Sequence, residues 1–367
     1  MRRRDLLRAA LGVSLLPRVL PAQEFLQHLG SPQDLGTPLE MFDRLITPNE
    51  AFFVRSHFGA PAWKPERALR IEGERPLDLT QATLRRLPQA KVTAVLQCAG
   101  NGRSLHRPRV PGVQWGHGAM GQAEWTGVRL RDLLERAGVP AGAQHVRLQG
   151  ADNAPKPAVP KWIRSIPLDK AMEDTTLVAW AMNGEPLPHA HGGPLRLVVP
   201  GWAGDHWMKW LVSVKAQREE ADGFYMRTAY KAPKKPVAPG TAVKPEEMES
   251  VTVLPVKSTI ARPLDGARLR SGPQEIAGVA FSGAAPIERV EVSTDGGSTW
   301  QLATLEGERA PGRWVVFRHH FVAGAGRVVA MSRATDTRGA VQPEVAAWNP
   351  SGYFWNAWHT VTCEVES

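Results

Sequence analysis

The chain has 367 residues, 43% of them hydrophobic and 22% charged, with a formal net charge of +9. This is ordinary globular composition, long enough for two cores. It excludes a transmembrane helix, because no stretch of about 18 apolar residues occurs.

At the N-terminus Arg2, Arg3 and Arg4 precede Asp5-Leu6-Leu7-Arg8 and a short apolar run, Ala9 to Leu16, with small residues near Ala22. Basic, apolar and small residues in that order are expected of an export signal over residues 1–22, and Arg3-Arg4-x-x-Leu has the twin-arginine form. The alternative is a basic amphipathic start to the first helix. Removal of residues 1–22 takes away five arginines and one aspartate and leaves +5. That remainder suits an anionic substrate or an acidic partner. No Lys/Arg stripe interleaved with aromatics points to nucleic acid.

Residues 25–50 end in the turn cluster Thr47-Pro48-Asn49-Glu50, and Ala51 to His57 reads as an extended segment. Lys91 to Gln97 reads as a buried strand running into the loop Cys98-Ala99-Gly100-Asn101-Gly102. Leu130, Leu133, Leu134 and Ala137 share one face of a short amphipathic helix. Ser165 to Asp169 is expected to start another helix, Thr176 to Ala181 a strand, and Leu195 to Val199 a compact strand stopped by Pro200-Gly201. Short helices, strands and Gly/Pro loops without βαβ regularity or a G-x-G-x-x-G fingerprint indicate an α+β domain over residues 23–245. Lys231 to Gly240 is a proline- and lysine-rich connector. Beyond it, Ile287–Val292, the Asp295-Gly296-Gly297 turn and Trp300–Leu302 read as a hairpin. Runs at 314–321, 328–333 and 360–365 continue at sandwich spacing, so residues 246–367 are expected to form an all-β, immunoglobulin-like domain.

Two cysteines occur, Cys98 and Cys363, 265 residues apart and in different expected domains. A disulfide between them is the bland reading, and no C-x-x-C-H motif encodes a c-type haem. Cys98 at a strand end, beside glycines and Arg103, suits a soft thiolate ligand for a redox metal, with Arg103 able to lower the thiol pKa. A buried structural cysteine is the competing reading. Arg55 and His57, at i and i+2, point to one side of a strand and can receive an oxyanion. His191, Arg196 and Lys209 sit around glycine-rich turns that suit a phosphate. A zinc site from His189, His191 and His206 is the weaker alternative there.

Together these clusters resemble the sulfite oxidase family of molybdenum enzymes. The resemblance rests on T-P-N-x-x-F-F-V-R-x-H at 47–57, Q-C-A-G-N-x-R at 97–103, and M-N-G-E-P-L-P…H-G-x-P-L-R-L-V-V-P-G-W at 182–202. Ala334-x-Asp336, Trp348-Asn349-Pro350-x-Gly352 and Trp355-Asn356-Ala357-Trp358 look like the family's dimerisation domain. The resemblance implies a molybdopterin-binding domain, with Cys98 as the protein thiolate on molybdenum. It implies cofactor contacts from Phe53, Val54, Arg55, Ser56, His57, Asp152, His191, Arg196, Trp207, Met208 and Lys209. It implies a substrate pocket of Arg55, His57, Arg103, Trp115 and Tyr230, with Arg318 as a further pocket arginine. The implied reaction is sulfite to sulfate in the periplasm, with no haem in this chain, an external c-type cytochrome as acceptor, and a homodimer. The same-class rival is the sulfane dehydrogenase subunit of a thiosulfate-oxidising complex. An S-oxide reductase and a non-catalytic binding module are the remaining readings. Two positions depart from the family. Gly102 stands where some members carry arginine, and Asp205-His206 stands where animal members have Ala-Arg.

Overall fold

The computed structural model describes residues 26–30, 33–152, 156 and 158–367. The export signal expected over 1–22 lies outside them. Among the described residues, two five-stranded sheets carry the first half of the chain. In one, Glu185–Pro186, Leu177–Met182, Met120–Arg129 and Ala90–Gln97 lie side by side, and Arg196–Val198 also pairs with Leu177–Met182. In the other, the order is Leu77–Leu79, Leu69–Glu72, Leu211–Gln217, His145–Gly150 and Ile163–Pro167. Its Ser213–Lys215 segment pairs parallel with Arg70–Glu72, and the remaining neighbours are antiparallel. The alternating apolar residues of these strands meet in one core with the helix Leu130–Ala137, whose Leu130, Leu133, Leu134 and Ala137 are buried as their spacing requires.

Two sequence expectations need correcting. Ser165 starts no helix: Ile163–Pro167 is a strand paired with His145–Gln149, and helix is confined to the single turn Leu168–Ala171. The ladder to a neighbouring strand offers these residues more than a short isolated helix does. Within Ala51–His57 the paired strand is confined to Val54–Arg55, because Asn49–Ala51 closes a 3₁₀ turn.

Lys231–Pro233 pairs with Met248–Ser250, so the proline-rich connector leaves and returns as one loop. The second half is a two-sheet sandwich. Lys257–Arg262, Gly272–Phe281, Val315–Ala323 and Thr304–Glu306 face a sheet of Arg268–Arg270, His359–Glu366, Gly326–Asp336, Ile287–Ser293 and Gln301–Leu302. Ile260, Ile276, Val290, Phe317, Ala330 and Val361 fill the space between. The chain is therefore α+β followed by all-β.

The two halves meet through backbone. A Cβ on Gly312 would lie 2.4 Å from the Gly201 nitrogen, and one on Gly283 would lie 2.2 Å from the Gly201 oxygen. The Val95 amide donates to the Gly312 carbonyl at 2.8 Å, and the Leu254 amide to the Gly201 carbonyl at 2.9 Å. Gln122 spans the junction: its Oε1 accepts from the Trp314 amide at 2.7 Å and its Nε2 donates to the Leu45 carbonyl at 2.8 Å. This junction fixes the loop that follows Gly201, which carries much of the site.

Candidate active site

A cavity opens where the end of the Ala90–Gln97 strand, the Val54–His57 segment, the Gly204–Trp210 loop and the linker residue Tyr230 converge. Cys98 lines it. The Cys98 amide donates to the Ala119 carbonyl at 2.9 Å, and its carbonyl accepts from the Asn101 amide at 2.9 Å. Asn101 in turn donates to Gln97 Oε1 at 3.0 Å and accepts from the Ala119 amide at 3.0 Å. The cysteine is thus set by a fully bonded turn. Burial pushes its thiol up, and the charges of Arg55 and Arg103 pull it back down.

Arg55, Ser56 and His57 line the cavity opposite. Arg55 is held by Asp34, 3.3 Å away, and by the Ser56 carbonyl. His57 stacks on Trp162 at 4.9 Å. Burial and the Arg55 charge push its pKa down to about 4, so the imidazole is neutral at pH 7.

The other end of the cavity is built for anions. Arg196 is buried between Trp125 and Trp207, 4.9 and 5.7 Å from their ring centroids. Its guanidinium donates to the carbonyls of His191 at 2.8 Å and Trp207 at 3.1 Å. Lys209 donates to Ser56 Oγ at 2.7 Å and the Ala190 carbonyl at 2.9 Å. Burial, and then the Arg196 charge, lowers its pKa to about 7. His191 donates to or accepts from no side chain; its Nε2 lies 3.2 Å from the Asn49 carbonyl. Asp152 borders this end with Oδ1 unpaired, and burial raises its pKa to about 6.

Of the site residues expected from sequence, Phe53, Arg55, Ser56, His57, Cys98, Asp152, His191, Arg196, Trp207, Lys209 and Tyr230 share this cavity. Val54 and Met208 lie between lining residues without lining it themselves. Three others stand outside its lining. Arg103 folds into a slot beside Gly100, Gly112 and Gly352, where a Cβ would strike it at 2.7–2.9 Å. It donates to the carbonyls of Ser351 and Val113, both at 3.1 Å, and lies over the Tyr353 ring. Trp115 is packed wholly inside the core. Arg318 belongs to the sandwich, where Glu306 at 2.7 Å and Glu275 at 3.2 Å hold it outside the cavity. His189 and His206 do not join His191, and no group of three His, Cys, Asp or Glu side chains that could hold a metal occurs among the described residues. Cys98 and Cys363 are both free.

Sequence reading missed Trp162, Trp210 and Asp205 as lining residues. Trp162 follows a stretch without periodicity, and Asp205 stood out only as a departure from the family pattern.

The sequence matches the oxidoreductase molybdopterin binding domain over residues 57–225 and the Mo-co oxidoreductase dimerisation domain over residues 248–366. It is 38% identical to the sulfite oxidase of Gallus gallus over 89% of this chain and 75% of that protein. The chain belongs to the sulfite oxidase family. It is also 37% identical to the mitochondrial sulfite oxidase of Rattus norvegicus over 91% of this chain, and it spans 64% of that relative's length. The crystal structure of the sulfane dehydrogenase SoxCD from Paracoccus pantotrophus superposes with a TM-score of 0.80 at 29% identity, covering 98% of this chain and 96% of that one.

The cavity fits the molybdenum cofactor of the sulfite oxidase family on its own donor set. Arg196 and Lys209 are buried cations without a paired carboxylate in hydrogen-bond contact, as a phosphate requires. The orphaned Asp152 Oδ1 and His57 Nδ1 offer hydrogen bonds to a polar heterocycle. Cys98 offers the soft thiolate.

Proposed function

We propose that this chain oxidises sulfite to sulfate at a molybdenum cofactor held through Cys98, and that a c-type cytochrome outside the chain collects the electrons in the periplasm. The observation that carries this reading is the convergence of Cys98, Arg55, His57 and Tyr230 on one cavity whose far end is lined by Arg196, Lys209 and Asp152. The balance is sulfite plus water to sulfate, two protons and two electrons. When bound, the cofactor supplies the oxygen transfer and takes up the electron pair.

The protein residues supply position and field. Arg55 presents a fork of donors to a small oxyanion, and its Asp34 partner fixes its direction. His57 is neutral at pH 7, so it shapes the pocket and shares hydrogen bonds without adding charge. Burial raises the Tyr230 phenol well above its usual range, which keeps it a proton donor at physiological pH. Arg196 and Lys209 would hold the cofactor's phosphate.

A second reading, oxidation of sulfane sulfur carried on a partner protein, is favoured by one observation. Arg103 is turned into its glycine slot and Gly102 lies against Trp355, so the pocket presents fewer arginines to an anion. Protein loaded with molybdenum should reduce cytochrome c with free sulfite. Rapid reduction by carrier-bound sulfane sulfur, with negligible turnover of sulfite, would replace the first reading by the second.

A further inference from the structure

Tyr230 stands in the cavity wall with a left-handed backbone, φ 56°. A bulky residue takes that conformation only where its surroundings impose it. Trp162 and Tyr353 pack their rings against Tyr230 at 5.3 and 5.5 Å, and three buried polar side chains that the chemistry above does not use complete those surroundings. Arg164 is fully buried, with its guanidinium 5.3 Å from the Tyr230 ring centroid. Its Nη2 donates to Asp205 Oδ2 at 2.5 Å and lies 2.9 Å from His206 Nε2, and its Nη1 donates to the Tyr225 carbonyl. His206 Nε2 lies 3.1 Å from the Val251 carbonyl. The Val251 amide donates back to the Tyr230 carbonyl at 3.0 Å. An imidazole protonated at Nε2 donates to the Val251 carbonyl and only lies against the guanidinium, so the two hold Tyr230 from separate sides: Arg164 at the ring, His206 through Val251 at the main chain.

We propose that Arg164, Asp205 and His206 form a clamp that positions Tyr230 for the reaction beside Cys98; this rests on the oxidation reading above. A buried ion pair is a poor way to gain stability, because desolvation offsets the attraction and apolar side chains of the same shape pack as well. Its place at the edge of the cavity, under a residue in a strained conformation, gives the pair a use. Asp205 lines the cavity, with Oδ2 committed to Arg164 and Oδ1 left without a partner. Position 206 is histidine, and the guanidinium beside it comes from Arg164 on the Ile163–Pro167 strand. All three are positioning residues, acting through Tyr230.

The test combines kinetics with a readout independent of turnover. Arg164→Met keeps length and removes the charge. In loaded enzyme it lowers kcat about 10- to 100-fold with the sulfite KM nearly unchanged, and adding Tyr230→Phe costs little more. The chain has three tyrosines, so fluorotyrosine labelling gives three fluorine resonances. That of Tyr230, assigned by its loss in Tyr230→Phe, is single and sharp in the parent protein and shifts and broadens in Arg164→Met and in Asp205→Asn. A Tyr230 resonance unchanged in both variants, or rate losses of Arg164→Met and Tyr230→Phe that multiply, overturns the clamp. Asp205→Asn, nearly isosteric, carries the test alone where Arg164→Met does not fold. A parent enzyme inactive on sulfite and on sulfane sulfur overturns the oxidation reading, and the fluorine spectra still decide whether Tyr230 is clamped.

Discussion

Arg55 and Arg103 carry the same charge and flank the same cysteine, yet their surroundings give them different work. Arg55 lines the cavity and is oriented by one carboxylate. Arg55→Lys therefore keeps the charge but loses the fork, and should raise the sulfite KM about 10- to 100-fold, since a charge-assisted bond is worth about 1.5–3 kcal/mol. Steady-state kinetics with varied sulfite measures it. Arg103 is bonded to carbonyls on both sides of the domain junction. Arg103→Met should lower the melting temperature by several degrees through unsatisfied buried carbonyls while changing the sulfite KM less than Arg55→Lys does.

Lys257 opens a strand of the sandwich and is buried, donating to the Trp355 carbonyl at 3.3 Å. Burial lowers its pKa to about 7. Between pH 7 and its unfolded value near 10.5 the unfolded chain binds the extra proton, so this lysine's cost to stability is greatest below pH 7 and falls as pH rises. Lys257→Met should stabilise the protein at pH 6, on the order of 1–3 kcal/mol, and by progressively less toward pH 10; thermal melts across that range check it. At the glycine junction, Gly312→Ala should do the opposite. Its φ of 69° and the 2.4 Å approach to Gly201 leave no room for a methyl group, and a loss of about 2–4 kcal/mol is expected in denaturant titration.

Elements of this kind separate what sequence reveals from what it hides. The helix Leu130–Ala137, the Ala90–Gln97 strand and the sandwich hairpin were legible because periodicity and turn residues are local signals. So was the set Arg55, Cys98, His191 and Lys209, whose blocks each carry a compact pattern. How Arg103, Trp115 and Arg318 are seated was not legible, because it depends on remote partners: Arg103 is fixed by Ser351, 248 residues away. Arg164 gave no signal at all, since its meaning comes from Asp205, 41 residues on.

At the scale of the whole molecule, a cavity at the end of one domain is fixed by contacts with a sandwich that matches a dimerisation domain. The chain is 40.2 kDa, and light scattering of the purified protein should give twice the chain mass. Under the proposed function, Cys98 places molybdenum where a sulfur oxyanion is oxidised. Sulfite-dependent ferricyanide reduction, expressed per bound molybdenum, tests it in the parent protein and in Cys98→Ser. Turnover in the parent and a loss beyond about 100-fold in the variant, more than outer partners of a metal site usually cost, is the predicted result. Equal turnover per molybdenum in both proteins, or none in the parent, would contradict it.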